Sequence, residues 1–201
     1  MAIRTPKAWM PYVILGAALF FTAVTVSALW VLGNRAAETG SGEAQIGGPF
    51  ALTDQNGQRR TEADFRGRYM LIFFGFTNCP DICPTTLSVI SEALNKLGPK
   101  ADRVVPIFVT LDPRRDTPEA LKSYLSSFGP RFVGLTGTPQ EVAGIARAYR
   151  VYYQKRELEG GAHAIDHSSV IYLMDGGGKF AGSYTLEQGP DALAADLAKR
   201  L

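Results

Sequence analysis

An unbroken apolar run, Met70-Leu71-Ile72-Phe73-Phe74-Gly75-Phe76, leads directly into Cys79-Pro80-Asp81-Ile82-Cys83-Pro84. So continuous an apolar stretch suits a central strand covered on both faces. Behind it, Pro84 and Thr85-Thr86-Leu87 open a helix. Its apolar residues Leu87, Ile90, Leu94 and Leu97 recur at helical spacing until Gly98-Pro99 ends it. Strand, thiol-bearing loop and helix therefore follow in immediate succession, which places both sulfurs at a helix N-terminus. The dipole and unpaired N–H groups there favour thiolate. A spacing of four brings both sulfurs to one face of a helical turn. That suits two-sulfur coordination at least as well as a tight redox disulfide.

Cys79 and Cys83 are the only 2 cysteines among 201 residues. A structural disulfide between them closes a very short loop, and the stabilisation such a link gives grows with loop length. A chain of this size, 46% hydrophobic, builds a core without it. The pair is read as the functional centre.

From Ala8 to Asn34 there is no charged residue, and residues 11–32 are nearly all apolar. A helix of about 20 residues spans a bilayer core. The run exceeds a signal-peptide core of roughly 7–15 residues, and Arg35 disfavours cleavage at Ala36-Ala37. The expectation is an uncleaved signal anchor at 11–32, after a cytoplasmic N-terminus at 1–10. Arg4 and Lys7 precede the span and only Arg35 follows closely, so the C-terminal part is sent across the membrane. In a bacterium this is a single pass through the inner membrane with a periplasmic domain, in an oxidising compartment. Residues 33–48, rich in Gly, Ala and Glu, read as a flexible linker. The net charge is +2 and the basic residues come in short pairs beside acids, which excludes nucleic acid as a partner class.

The folded domain is placed at 49–201. Asn56-Gly57 marks a hairpin turn between Phe50–Thr53 and Gln58–Arg60. Val104–Leu111 is a second buried strand. Thr117 and Pro118 start a helix, Phe132–Leu135 is a strand, and Thr138–Tyr149 is a helix. Val170–Met174 and Lys179–Tyr184 pair around Gly176-Gly177-Gly178, and Pro190–Leu201 is a terminal helix. Alternating strands and helices with a closing hairpin indicate a layered α/β domain. The triple glycine lies between strands with no helix behind it, so it is not a phosphate loop.

Both of the chain's 2 histidines, His163 and His167, lie in the polar stretch Glu157–Ser169, read as a loop before a buried strand. His167, beside that strand, is placed to meet the cysteines. His163, further out beyond Gly160-Gly161, reads as a solvated loop residue. Two thiolates and an imidazole suit a soft or borderline ion. Structural zinc takes four ligands and three are offered; three fit trigonal Cu(I), or Cu(II) with an added ligand. A core histidine satisfied by hydrogen bonds is the equal alternative on spacing alone.

Phe74-Gly75-Phe76-Thr77-Asn78-Cys79-Pro80-Asp81-Ile82-Cys83-Pro84 resembles the signature of the Sco/SenC family. Leu111-Asp112-Pro113 with Arg115-Asp116-Thr117-Pro118 resembles its second block, and Asp166-His167-Ser168 its third. The resemblance runs from about Phe50 to the C-terminus and includes the anchor. It implies a thioredoxin-like three-layer sandwich with an added N-terminal β-hairpin, preceded by one transmembrane helix. It also implies copper held by Cys79, Cys83 and His167, and delivery of that copper to the CuA centre of cytochrome c oxidase. Asp81 and Asp166 are then expected near the site or at the partner surface, and Asp112 and Asp116 as residues that shape the adjoining loop. Where many members carry a histidine before the first cysteine, this chain has Asn78.

The implied partners are the copper-bearing oxidase subunit and a copper donor or thiol reductant. The alternative is a thiol–disulfide oxidoreductase whose redox pair is Cys79 and Cys83, keeping the oxidase cysteines reduced; His167 has no necessary part in that chemistry. A peroxidase needs a Thr-x-x-Cys arrangement with an arginine. Thr77-Asn78-Cys79 misses it by one residue, with Arg115 as the only helper.

Overall fold

A computed structural model describes Leu15 and residues 20–30, 46–157 and 163–201. The chain divides into two units, Met1–Ala44 and Gln45–Leu201. In the first, residues 20–30 are helical, and Phe20, Phe21, Leu29 and Trp30 are exposed. No helix among the described residues is long and apolar enough to cross a membrane. Part of the expected anchor, together with the N-terminus and most of the linker, lies outside the described residues. The second unit is in place by Ile46, which packs on the core, and Gly47 donates its N–H to the Ala148 carbonyl (2.9 Å).

The core strand is β3 (Tyr69–Gly75), flanked by parallel β4 (Val104–Thr110) and antiparallel β8 (Ile171–Met174). All seven residues of β4 are buried, as the apolar run requires of a strand covered on both faces. β5 (Val133–Thr136) continues the sheet parallel to β4, and β9 (Phe180–Tyr184) closes the other edge. The hairpin of β1 (Ala51–Asp54) and β2 (Arg59–Thr61) adds to β5, for the order β2-β1-β5-β4-β3-β8-β9. Its turn takes Gly57 at φ 77°.

The β3–β4 crossover is α1 (Ile82–Leu97), and the β4–β5 crossover is α2 (Pro118–Leu125). They lie on one face of the sheet, where Ser91 Oγ of α1 donates to the Phe128 carbonyl just beyond α2 (2.7 Å). The face is set by strand alternation: Phe73 meets Phe108 and, through it, Tyr124 of α2, whereas Phe74 turns the other way to Tyr149 and Tyr172. Tyr149 caps α3 (Pro139–Ala148), which Thr138 starts with a reciprocal Thr138–Glu141 capping box and Pro139 at its first position. The last helix, α4 (Gly189–Arg200), packs against α1. This is the expected layered α/β sandwich with its added hairpin.

Two expectations are corrected. The helix behind the strand begins at Ile82, so Cys83 lies within its first turn and Cys79 in the loop before it. The 157–169 stretch is not simply a loop. β6 (Tyr153–Glu157) and β7 (His163–His167) form a separate antiparallel hairpin that pairs Tyr153 with His167. Its inward face packs Ile165 and Tyr153 on the core, but Lys155 and His167 share that face, so no apolar alternation reveals the strands in the sequence.

Candidate metal centre

The site forms where the end of β3 faces the end of β7. Cys79, Cys83 and His167 bring one ligand atom each within 4.8 Å of one another. Cys83 Sγ lies 3.6 Å from His167 Nε2. Both cysteines are free thiols, Cys83 fully buried and Cys79 half-buried. A three-coordinate ion with bonds of about 2.0–2.3 Å holds its ligands about 3.5–4 Å apart, so the cluster is close to trigonal dimensions. The donor set, two sulfurs and an imidazole, suits a soft or borderline ion and not a hard one.

His167 is held in one tautomer. Its Nδ1 lies 3.0 Å from the Ser168 carbonyl, which can only accept, so the proton is on Nδ1 and the Nε2 lone pair faces Cys83. Phe73 and Phe76 stand edge-on around the ring, each with its centroid 6.1 Å away. Burial in this aromatic setting pushes the imidazole below its usual value, against the Ser168 bond and the Asp166 charge, and keeps it neutral.

Cys83 does not behave as its helix position suggests. Burial pushes its thiol well up, more than a backbone hydrogen bond from Phe76 brings it down, and Cys79 and Asp116 add to the rise. Desolvation outweighs the helix terminus, and the metal-free protein keeps the proton on Cys83. A metal must displace it in order to bind. The sulfur fits because Gly75 has no side chain: a Cβ there falls 2.7 Å from Cys83 Sγ and 2.9 Å from Phe108 Cε2.

Two buried carboxylates of one loop brace both halves of the site. Asp116 accepts from Thr77 N (3.0 Å), Thr77 Oγ1 (2.6 Å) and Thr110 Oγ1 (2.5 Å), which ties the cysteine loop to the end of β4. Asp112 takes Lys155 Nζ of β6 at 2.8 Å, which ties the histidine hairpin to the same loop. Arg115 faces Asp112 at 3.8 Å. The loop-shaping role expected of Asp112 and Asp116 is what the geometry shows. Asp166 pairs with Arg156 at the surface (2.6 Å), Asp81 is exposed at the start of α1, and His163 opens β7 at the end away from the cluster. Sequence reasoning did not single out Lys155, Thr110, Phe73 or Phe108 for the site. Thr77 was weighed only for a peroxidase arrangement, and Phe76 lay inside the motif with no role given it.

Fold and site together define a thioredoxin-like domain with a thiol–imidazole cluster of soft-metal character at the end of its central strand. The family model described as SCO1/SenC matches residues 38–201. The structure of Bradyrhizobium japonicum ScoI with copper bound is 49% identical, covers 78% of this chain and 99% of its own, and superposes with a TM-score of 0.74. The mitochondrial SCO1 homolog 1 of Arabidopsis thaliana is 41% identical over 162 residues, 80% of this chain and 48% of the relative. BsSco, described as a member of the Sco family of cytochrome c oxidase assembly proteins with a disulfide switch, is 25% identical (TM-score 0.63, 78% and 94% covered). The chain belongs to the SCO1/SenC family. It spans about half the length of the Arabidopsis relative.

Proposed function

We propose that this protein is a membrane-anchored copper carrier that binds one copper ion through Cys79, Cys83 and His167. It delivers that ion to the CuA centre of cytochrome c oxidase during assembly. The observation that carries the reading is the convergence of both sulfurs and a neutral, correctly turned imidazole within 4.8 Å, from segments 84 residues apart. Copper in the Bradyrhizobium relative and oxidase assembly in the description of BsSco support the cargo and the client. The uncharged run at 11–32 supports an inner-membrane anchor with the domain in the periplasm.

Copper is the cargo, and the chain's own residues do the handling. Cys83 gives up its proton on loading, Cys79 supplies the accessible sulfur, and His167 presents Nε2 from a separate strand. Because the two halves of the site meet only through side chains, one half can release the ion to a partner's thiolates before the other. The test is copper content of reduced protein, with Cys83→Ser and His167→Ala beside it. One copper per chain is expected, lost in Cys83→Ser, weakened in His167→Ala, and absent once Cys79 and Cys83 are oxidised to a disulfide. Full retention in both variants overturns the ligand assignment.

A second reading rests on the free dithiol itself. Cys79 and Cys83 could pass two electrons and two protons to a disulfide of the oxidase copper site, and become a disulfide in turn. The half-exposed Cys79 beside a buried Cys83 suits attack by the former. If His167→Ala supports oxidase assembly at wild-type level, this second reading prevails.

A further inference from the structure

A cleft of about 410 Å³ lies between the loop after β4, the start of α3 and the strand β6. Ligand-binding clefts run from roughly 300 to 1,000 Å³. Buried Leu111 and Val142 and half-buried Tyr153 line it, with Pro139 beside them, so part of its wall is apolar. Two cations, Arg114 and Lys155, line it as well. Lys155 is matched by Asp112 (2.8 Å), which Arg115 also faces. Arg114 is exposed and holds no carboxylate among the described residues. Glu141, the acid in the first turn of α3, is taken by Arg59 (2.8 Å). The cleft therefore carries surplus positive charge beside an apolar wall.

Its position ties it to the metal cluster. Tyr153, in its wall, stands directly opposite His167 in the β6–β7 register. Among the described residues β6 pairs with β7 alone, so its other edge keeps backbone N–H and C=O groups open to an added strand. Tyr153 and Lys155 show that one face of β6 borders the cleft. An extended chain added at that edge lays alternate side chains on the same face. We infer that this cleft is the docking site for an extended acidic segment of the protein that exchanges copper with the cluster. An apolar side chain of the segment enters beside Tyr153, and a carboxylate meets Arg114. Charge complementarity of this kind speeds encounter and fixes register, and it brings the partner to the hairpin that presents His167. The inference rests on the copper reading above and adds to it the chemistry of the partner's contact surface.

Arg114→Glu reverses the charge without touching a ligand, and the full-length protein in detergent serves for the test. Two probes are used. One is a short capped peptide of alternating valine and aspartate, with a valine–lysine peptide as control. The other is the metal-free copper-bearing domain of the oxidase subunit. In an NMR titration of the wild type, the acidic peptide should shift the signals of Tyr153 and Arg114, less so as salt is raised, and the lysine peptide should not. Arg114→Glu should lose that response, keep one copper per chain, and pass copper to the oxidase domain about ten-fold more slowly. The inference is overturned if the wild type ignores the acidic peptide, if both peptides bind alike, or if Arg114→Glu still binds it. Peptide binding lost with transfer unchanged overturns the assignment of the cleft to the copper partner. If the wild type takes up no copper or passes none on, the copper reading itself has failed, and the peptide titration still decides whether the cleft takes an acidic chain.

Discussion

The Lys155 ammonium lies 2.8 Å from the Asp112 carboxylate, and this contact joins the histidine-bearing hairpin to the loop behind the cysteines. Asp112 is buried while Lys155 is 39% exposed, so the pair is worth less than a fully buried one. Lys155→Ala should cost about 1–2 kcal/mol. It should also let His167 wander, with faster loss of copper and faster amide exchange confined to β6 and β7. Exchange unchanged in the hairpin would show that the ion pair does not position it.

Asp116 accepts three hydrogen bonds from Thr77 and Thr110. In Asp116→Asn the amide nitrogen can take only the Oδ1 position, which forces the Thr77 hydroxyl to give up its donor role and accept, and the remaining bonds lose the carboxylate charge; the loss is about 1–3 kcal/mol. Chemical denaturation should show that loss. The Thr77–Cys79 loop should loosen with it, so copper binding weakens as well. A variant with wild-type stability would mean that Asp116 does not hold the loop.

Gly75→Ala puts a methyl 2.7 Å from Cys83 Sγ and 2.9 Å from Phe108. Overpacking of this kind costs about 1–3 kcal/mol. Here its first consequence is a displaced Cys83, and copper stoichiometry near zero is expected in protein that is still folded. Circular dichroism and metal content, read together, decide between local displacement and unfolding.

Asp54 sits buried beneath the β1–β2 turn. Burial raises its carboxyl, but the Arg60 bond and the Gln58 and Asn56 N–H groups together outweigh that and hold it below the usual range. Its folded-state value is thus lower than the unfolded one, so its stabilisation is complete above about pH 3.9. It is lost as the pH falls through the depressed folded value. Asp54→Asn should cost about 1–3 kcal/mol at neutral pH, and the gap to wild type should close on acidification. A gap that stays constant down to the acid transition would contradict the assignment.

Local signals were legible because their partners lie a few residues away. The continuous apolar character of 70–76 fixes a central strand, Thr117 and Thr138 fix helix starts through their own N–H partners, and Asn56-Gly57 fixes a turn. The Cys79, Cys83 and His167 set was named from spacing and resemblance, and the structure brings those three together. By itself, then, the sequence determined the layered α/β class, most elements and the chemical character of the site. Tertiary structure alone decided what depends on distant partners. Asp116 reaches Thr77 across 39 residues and Lys155 reaches Asp112 across 43; nothing local marks a surface lysine or a loop acid for those contacts. The β6–β7 hairpin was hidden because its inward face mixes the apolar Tyr153 and Ile165 with Lys155 and His167, so no clean apolar alternation marks it. Cys83 shows the same division within one side chain: its place in the first helical turn favours thiolate, but Gly75 and Phe108 bury it, and removal from water is the stronger effect.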